Sequence, residues 1–421
     1  MSDSLTINRT RLHASSNYLP WLICLSAGFF FFYEFFQLNV FDVINQPLRH
    51  DFDIDAAQLS WMSSTFIWAN VLFLLPAGFI LDRFSVRRVI LIALFICLIG
   101  TFGFGLSSSF ALAAFFHSLT GVGNAFCFLS CVVLVSRWFP PRRQASVIGC
   151  IVTMAFLGGM AAHTPLAYLN THYGWRHAVF LDGMLGAFIW IWIAIIVQDK
   201  TQDRMTQKQT TTWWPKFKQS LLNRQNWLAG TYTACLNLPI MVLCALWGGS
   251  YLREVHQLNS IAASNIISLI FIGSIVGCPF VGWLSDAHGK RKPLMIIGAI
   301  ATFLTVLPLF MGIPLSETTL SILFVSLGLF TSTQVIGYPF IAESNPLGNT
   351  GTATGVASMI VMGGGGIAQV LFGMLMQQHA GQTILHYTVT DFQYAMWMFP
   401  IAAVIAFIMS FCMRETHGIQ H

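Results

Sequence analysis

The stretch GFILDRFSVRR, at residues 78–88, decides the fold, because a related stretch, GWLSDAHGKRK, stands at residues 282–292. In both copies a glycine precedes an aspartate by four positions, and a basic cluster follows the aspartate. Each copy lies between two long apolar segments. The sequence therefore predicts a duplicated membrane bundle in which the two copies are equivalent loops.

The composition places the chain in a membrane. Of its 421 residues, 55% are hydrophobic and 9% are charged, which leaves too few charged side chains to cover a soluble surface. A helix needs about 20 mostly apolar residues to cross a bilayer. Twelve such segments, numbered spans 1 to 12, lie at approximately 19–45, 58–81, 89–106, 110–135, 145–168, 178–198, 227–252, 260–284, 293–311, 318–341, 351–376 and 394–413. The predicted fold class is an all-α membrane protein with twelve transmembrane helices.

The positions of the basic residues predict the orientation. If both termini are cytoplasmic, only three of the 21 Lys and Arg residues fall outside, namely Arg49, Arg176 and Arg253. Positive charge resists translocation and marks cytoplasmic loops. We therefore expect a multi-pass protein of the bacterial inner membrane with both termini in the cytoplasm. The net charge of +5 then reflects topology, and no nucleic-acid binding is expected.

A polar stretch divides the chain into two halves. Residues 199–226 predict a cytoplasmic linker between an N-terminal six-helix bundle, 1–198, and a C-terminal six-helix bundle, 227–421. The duplication extends to ASVIG at 145–149 and GTATG at 351–355, which open spans 5 and 11. Small residues let membrane helices approach closely. Spans 5 and 11 are therefore expected at the interface of the halves.

Taken together, these features resemble the major facilitator superfamily over essentially the whole chain. In the first loop, the residues that match the family's signature are Gly78, Asp82, Arg83, Arg87 and Arg88, with Ser85 where a glycine is usual. In the second loop they are Gly282, Asp286, Gly289, Lys290 and Arg291. The resemblance implies two pseudo-symmetric bundles that rock about a central site. It also implies a cytoplasmic gate in which Asp82 faces the start of span 11 and Asp286 the start of span 5. For the basic residues, setting the topology is an alternative role.

An ionisable residue inside a span is costly and is therefore a candidate for function. Glu34 lies in the middle of the aromatic run FFFFYEFFQLNVF, at residues 29–41. Apolar surroundings favour the neutral acid, so Glu34 could carry a proton or bind a substrate amine. Gln37 lies one turn further on the same face. The alternative is a structural glutamic acid within its bundle. On span 6, Asp182 could pair with Arg176.

Span 4 departs from the family pattern. In HSLTGVGNAF, residues 117–126, His117 stands where the family's RxxxGxG pattern has arginine, and Asn124 follows two turns later. Unlike arginine, histidine can change its charge near neutral pH, so His117 could sense pH or could be a neutral core residue. In the family, spans 1, 4, 7 and 10 line the central cavity. The resemblance therefore adds further candidates for substrate binding or proton coupling: Asn237, Trp247, Gln334 and Tyr338.

The charge inventory constrains the solute. No Lys or Arg is predicted deep in a span, which disfavours a multiply charged anion and suits neutral, zwitterionic or cationic solutes. Phrases such as FYEFFQLNVFDVI, residues 32–44, and LWGGSYLREV, residues 246–255, resemble a branch of bacterial importers that includes intraphagosomal amino-acid transporters. Span 5 lacks the GPxxGG pattern of drug-exporting antiporters, which disfavours export.

We therefore predict a secondary active transporter that moves a small polar metabolite, preferably an amino acid, by alternating access and proton-coupled import. The alternatives are a siderophore or drug transporter, working in either direction, and a non-transporting sensor of the same fold. The sequence shows no catalytic constellation, metal motif or Walker loop. It thus predicts no enzymatic activity, no metal and no cofactor, with a proton gradient as the energy source. The expected partners are a solute and the lipid bilayer, and the chain is expected to be monomeric.

Overall fold

The computed structural model describes residues 18–139, 141–199, 213–311, 315–346, 349–380 and 387–417. Within these ranges, twelve helical segments are long and apolar enough to cross a membrane, which confirms the predicted all-α fold. The expected cytoplasmic N-terminus (residues 1–17) and the linker residues 200–212 lie outside the described ranges. The described remainder of the linker is not irregular, because Trp213–Leu222 forms a helix.

The N-terminal bundle comprises spans 1 to 6, and two of its spans consist of two helices each. Its helices are Leu19–Phe52 (span 1), Ala56–Arg83 (span 2), Val86–Leu106 (span 3), Phe110–Asn124 and Cys127–Trp138 (span 4), Pro141–Ala161 and Thr164–Tyr173 (span 5), and Trp175–Ile196 (span 6). Span 1 is a turn or more longer than predicted. Its helix includes Pro47 and ends at Asp53, whose left-handed backbone caps it.

The C-terminal bundle comprises spans 7 to 12. Its helices are Arg224–Leu238, Pro239–Trp247 and Gly248–His256 (span 7), Ser260–His288 (span 8), Lys292–Phe310 (span 9), Glu317–Thr331, Ser332–Ile336 and Gly337–Glu343 (span 10), Thr350–Ala380 (span 11), and Val389–Met396 and Met398–Cys412 (span 12). In span 7 the middle segment is a π-helix that starts at Pro239. Proline supplies no N–H to the helical ladder, so a change of helix type at this position has a direct cause.

Close glycine contacts repeat in the two bundles and support the duplication. A Cβ atom on Gly121 of span 4 would lie 2.1 Å from the carbonyl oxygen of Phe66 in span 2. In the second bundle, a Cβ atom on Gly328 of span 10 would lie 2.0 Å from the carbonyl oxygen of Ile270 in span 8. Only glycine permits backbones to approach this closely. Both spans are also interrupted shortly after this glycine, span 4 after Asn124 and span 10 at Ser332.

The two bundles share a core at one end of the molecule and have separate cores at the other. We call the end that carries residues 78–88 and 282–292 the motif face, and the opposite end the far face. One apolar cluster joins Phe41 and Leu59 of the first bundle to residues of the second. Towards the motif face, the cluster around Ile90 contains only residues of the first bundle. The bundles therefore pack together mainly near the far face.

The environments of the glycines show the same asymmetry. Near the far face, a Cβ atom on Gly373 of span 11 would lie 2.2 Å from Oγ of Ser60 in span 2. Towards the motif face, a Cβ atom on Gly149, Gly282 or Gly355 would meet nothing within 4 Å. These three glycines lie on spans 5, 8 and 11. The bundles are thus closed against each other at the far face and separated at the motif face.

Candidate functional site

A chain of buried polar side chains crosses the first bundle at mid-depth. Asn124, the last residue before the break in span 4, donates from Nδ2 to Oε1 of Gln37 in span 1 at 2.8 Å. Nε2 of Gln37 in turn donates to Oγ1 of Thr101 in span 3 at 2.5 Å. Each residue is almost fully buried. The structure thus brings together two sequence-predicted site residues, Gln37 and Asn124, through direct hydrogen bonding.

Glu34 lies one turn before Gln37 and is 4% exposed. Its Oε1 accepts a hydrogen bond of 3.4 Å from Nδ2 of Asn70 in span 2, and Cys127 of span 4 lies beside the carboxyl group. Among the described residues, its Oε2 atom has no hydrogen-bond partner. A buried carboxylate without a countercharge is expensive, whereas a protonated carboxyl is not. The environment therefore suits a group that binds a proton.

His117 of span 4 lies within an aromatic enclosure. The centroid of its ring is 4.3 Å from that of Phe41, 5.5 Å from that of Phe66 and 5.7 Å from that of Phe104. The side chain is buried and lines a small cavity that also reaches Asp182. His117 therefore lies close to the polar chain of the first bundle, although phenylalanine rings form much of its surroundings.

The candidates of the second bundle lie on spans 7 and 10, at their irregular segments. Asn237 is buried two residues before the π-helix of span 7. Gln334 is buried in the 3₁₀ segment of span 10, and its carbonyl accepts from Oγ1 of Thr233 at 3.3 Å. Tyr338, one turn further, is partly buried near Ser358 of span 11. These side chains lie in their own bundle, and their role in solute binding stays a prediction.

Trp247 lies in the contact between the bundles at the far face. Its Nε1 donates to Oγ of Ser60 in span 2 at 3.1 Å, and its ring packs against Phe372 of span 11. The indole is fully buried. The structure therefore places Trp247 in the closed end of the molecule, where it joins the two halves.

Residues outside the predicted site set complete this closure. In span 1, Oδ1 of Asp42 accepts a hydrogen bond of 2.7 Å from the backbone N–H of Gly249 in span 7. Nδ1 of His163, at the break in span 5, lies 3.7 Å from Oδ2 of Asp42. The guanidinium of Arg49 stacks on the ring of Tyr387 across the same contact, 4.5 Å from its centroid. In the sequence, an aspartate at position 42 within an apolar run was the feature that could have indicated this contact.

Further hydrogen bonds cross between the bundles in this half of the molecule. They join Asn45 to Leu246, Ala56 to Tyr387, Ser63 to Gln369, and Thr164 to Asn265. These residues lie in the halves of spans 1, 2, 5, 7, 8 and 11 that point to the far face, except Tyr387, which precedes span 12. We call the whole set, together with Asp42, Trp247 and Tyr387, the far-face contact.

The first loop of the motif face packs against span 6. Nη2 of Arg87 donates to the carbonyl of Ala194 at 2.6 Å, and its backbone N–H donates to Asp199 at 3.3 Å. Ser85, where the family usually has glycine, caps span 3 through its hydroxyl. Arg83 and Arg88 are exposed. The side chain of Asp82 lies outside the described part of the chain, so its contact with span 11 stays a prediction.

The second loop of the motif face is held within its own bundle by Arg291. This buried guanidinium donates to Oε1 of Glu343 at 2.7 Å and to Oδ1 of Asp286 at 2.5 Å. The side chain of Asp286 is 72% exposed, and Lys290 is also exposed. Burial lowers the pKa of Arg291, but the hydrogen bonds that its guanidinium donates to Glu343 and Asp286 outweigh burial and raise the pKa above the usual value. Gly289 adopts a left-handed backbone, with φ of 60°, and ends span 8.

The predicted contact of Asp286 with span 5 stays untested, because side chains at 141–142 and 144–146 lie outside the described ones. A different expectation was wrong: Arg176 does not pair with Asp182. Arg176 instead forms an ion pair with Asp51 at the end of span 1. Asp182 points into the interior of the first bundle, where it lines the cavity near His117.

Comparison with known proteins identifies the relatives of this architecture. A family model described as Major Facilitator Superfamily matches residues 25–263 and 240–419. A probable galactarate/D-glucarate transporter of Bacillus subtilis (strain 168) is 24% identical over 356 residues, which cover 75% of this chain and 76% of the relative. A probable hexose phosphate transport protein of Chlamydia trachomatis serovar D is 23% identical, over 67% of this chain and 68% of its own. The crystal structure of a D-xylose-proton symporter is similar with a TM-score of 0.78, 14% identity, and coverage of 96% of this chain and 100% of that one.

Proposed function

This chain belongs to the major facilitator superfamily and is a secondary transporter of small-molecule solutes, and we propose that it couples uptake of a hydroxylated metabolite to protons. The observation that carries the proposal is the buried acid Glu34 one turn from the hydrogen-bonded amides of Gln37 and Asn124. It combines an acid suited to bind a proton with amides that suit hydroxyl groups. Both lie at the depth at which the family places its central site.

Glu34 is proposed as a coupling group. Its carboxyl is buried, and its described polar neighbours, Asn70 and Cys127, carry no positive charge. Deprotonation would leave a charge that the described groups of the first bundle do not neutralise. Proton binding and release at Glu34 would therefore favour different arrangements of the bundles.

The solute is proposed to be polyhydroxylated and to carry at most one negative charge. Galactarate, glucarate, hexose phosphates and xylose, for which the similar proteins are named, all have hydroxylated carbon chains. Dicarboxylates and phosphate esters, however, need compensating cations. Among the described residues, Lys and Arg lie at the ends of spans or in loops, as at Arg49 and Arg253, and not at mid-depth. A hydroxylated solute with at most one negative charge thus suits this chain better than a dicarboxylate or a phosphate ester.

An amino acid, which the sequence phrases favoured, finds no support among the relatives named above. It stays the second candidate, because a zwitterion also needs no excess of cations at the site. A buried acid such as Glu34 could meet its amino group. The two candidate solute classes, hydroxylated metabolites and amino acids, can be distinguished by which compounds stabilise the protein and are transported by it.

The orientation is proposed from the basic loops. If the motif face is cytoplasmic, as the distribution of Lys and Arg indicates, the separated bundles correspond to an inward-open state. The far-face contact would then seal the site from the outside. Uptake follows if the solute enters when this contact opens, in a cycle of alternating access in the inner membrane.

A transport measurement tests the coupling. Purified protein in proteoliposomes with an imposed pH gradient should accumulate solute only with the gradient, and Glu34→Gln should lose most of the accumulation while retaining exchange without a gradient. Glu317→Gln, at the exposed start of span 10, is the matched control and should behave like the wild type. Unchanged pH dependence in Glu34→Gln would exclude a coupling role for Glu34.

A binding measurement tests the solute class. A ligand that binds only the folded protein raises the melting temperature according to its occupancy. We expect stabilisation by neutral sugars or by galactonate, and none by glucarate, glucose 6-phosphate or amino acids. Compounds that stabilise the protein should then be taken up as radiolabelled solutes. Stabilisation by amino acids alone would favour the second candidate.

A further inference from the structure

A small cavity lies inside the first bundle, apart from the far-face contact and from the separation at the motif face. Its volume is about 20 Å³, and much of its wall is apolar, from Val40, Phe41, Phe104 and Val179. Its polar lining residues come from spans 1, 3, 4 and 6: Gln37, Thr101, His117, Thr120 and Asp182. This volume accommodates one water molecule. The lining supplies several hydrogen-bonding groups, so a water molecule there would be well coordinated.

Asp182 is the only acid that lines this cavity, and it is 4% exposed. Within the described residues, its Oδ1 atom has no hydrogen-bond partner. Its backbone carbonyl is engaged, since it accepts from the hydroxyl of Tyr33 at 3.3 Å. A carboxyl oxygen without a hydrogen-bond partner, at the wall of a water-sized cavity, indicates that a water molecule or a small cation binds there and completes its coordination.

The groups around Asp182 offer no fixed positive charge. Tyr33 and Gln37 face it from span 1, Cys97 and Thr101 lie near it on span 3, and His117 lines the same cavity from span 4. None of these is Lys or Arg, and Arg176 pairs with Asp51 instead. An ionised carboxylate here would be buried without a countercharge, which costs several kcal/mol in membrane interiors. The negative charge of Asp182 must therefore be neutralised by a proton or compensated by a small cation in the cavity.

The cavity lies close to the proposed coupling group along span 1. Gln37 lines the cavity and bonds both Thr101 and Asn124, while Glu34 lies one turn earlier on the same helix. Residues three apart on a helix share a face. Asp182 and Glu34 are therefore two buried acids near the same face of span 1.

We propose that Asp182 is a second proton-binding carboxyl of this transporter and that one water molecule in the cavity hydrogen-bonds its Oδ1 atom. A proton arriving on that water is transferred to Oδ1, which turns the carboxylate into a carboxylic acid and leaves neutral water; release reverses the step. The proposal rests on the proton coupling proposed above and adds a second exchangeable proton to it.

Infrared spectroscopy of the full-length protein without solute tests this proposal. The carboxylic-acid band is recorded as a function of pH in protein labelled with ¹³C-aspartate. The wild type should show a buried aspartic-acid band that disappears reversibly at high pH, and Asp182→Asn should lose it. Asp182→Glu, which keeps the acid, should move the band out of the labelled region. His117→Gln should retain the band, which would show that the band does not depend on the histidine in the same cavity.

Several results would overturn the proposal. A wild-type spectrum unchanged by Asp182→Asn, or a band that persists at every pH at which the protein stays folded, would make Asp182 a fixed structural group. Thermal stabilisation of the wild type by Na⁺ over choline, lost in Asp182→Asn, would make the cavity a sodium site. If Asp182→Asn does not fold, Asp182→Glu provides the test: a labelled band that stays in place in this variant would overturn the proposal. Because no solute is used, these outcomes are independent of the uptake test on Glu34→Gln.

Discussion

The carboxylate of Asp42 in span 1 accepts a hydrogen bond of 2.7 Å from the backbone N–H of Gly249 in span 7. This bond crosses between the two bundles at the place where the π-helix of span 7 gives way to an α-helix. Asp42 and Gly249 are both buried, so the bond forms only while the far face is closed. Each opening of that face in a transport cycle has to break it.

Removal of this acceptor should favour opening of the far face. In Asp42→Ala the Gly249 N–H loses its partner, which costs about 1–3 kcal/mol and should raise the open population by about fivefold to 150-fold. The readout is labelling of Cys244, a fully buried cysteine of span 7 near Asp42, by a membrane-impermeant maleimide, followed by mass spectrometry. Asp42→Asn, which keeps an acceptor oxygen, should restore much of the protection.

A neighbouring acid provides the control for this experiment. Asp51 lies on the same span but pairs with Arg176 within its own bundle. Asp51→Ala should therefore leave the labelling of Cys244 close to the wild-type level. Equal labelling in Asp42→Ala and the wild type would show that the bond to Gly249 does not hold the far face closed.

Two glycines of span 11 should have opposite effects on the conformation. A Cβ atom on Gly373 would lie 2.2 Å from Oγ of Ser60, so Gly373→Val should force the far face apart and increase Cys244 labelling. A Cβ atom on Gly355 meets nothing within 4 Å here. Gly355→Val should therefore preserve the present state but obstruct closure of the motif face.

The transport assay distinguishes these two glycine variants further. Both should lose uptake, because each blocks one half of the cycle, but only Gly373→Val should expose Cys244. Gly355→Val should protect Cys244 at least as well as the wild type. The same labelling in both variants would contradict the assignment of Gly373 and Gly355 to opposite ends of the bundle contact.

The ion pair between Arg291 and Glu343 should stabilise the second bundle. Both side chains are nearly buried, at 9% and 10% exposure. Loss of one partner of a buried pair costs about 3–5 kcal/mol, because the other charge stays uncompensated. Glu343→Gln should thus lower the melting temperature clearly in detergent solution. Asp286→Asn, which removes an exposed partner of the same arginine, should cost less than about 1 kcal/mol. A similar loss in both variants would contradict a specific role for the buried pair.

Glu415 should make stability depend on pH in the acid range. Burial alone would raise its pKa, but hydrogen bonds from the backbone N–H groups of Arg291 and Lys292 lower the pKa below the usual 4.5. A depressed value in the folded state stabilises the protein above pH 4.5, and this stabilisation is lost as the pH falls through the folded-state value. Melting curves of Glu415→Gln and the wild type should therefore differ at neutral pH and converge in acid. A difference that grows in acid would contradict this sign.

Fusion proteins should reveal the orientation of the chain. With both termini cytoplasmic, a C-terminal green fluorescent protein should be fluorescent and a C-terminal alkaline phosphatase inactive. A split fluorescent-protein tag at the N-terminus should be complemented from the cytoplasm. An active C-terminal phosphatase would show that the orientation of the chain is opposite to the one proposed. The present conformation would then be outward-open.

The sequence was sufficient for the fold because the deciding signals are local. Apolar length predicts a span, Lys and Arg between spans predict a side, and the two loops at 78–88 and 282–292 reveal the duplication. Interruptions inside spans were harder to predict. Pro239 is a local cause of the irregularity in span 7, whereas the breaks at Asn124 and Ser332 follow Gly121 and Gly328, which approach other helices closely.

Tertiary structure decided which polar side chains meet. Glu34, Gln37 and Asn124 were recognisable in the sequence as polar groups in apolar spans, and two of them are hydrogen-bonded to each other. The partners of Asp42 and Asp182 were not recognisable, because their distances depend on four or more helices packing at once. The same holds for the closed far face and the separated motif face. Hydropathy and charge are properties of each segment, whereas contacts between segments depend on the relative positions of whole helices, and only the folded bundles fix those.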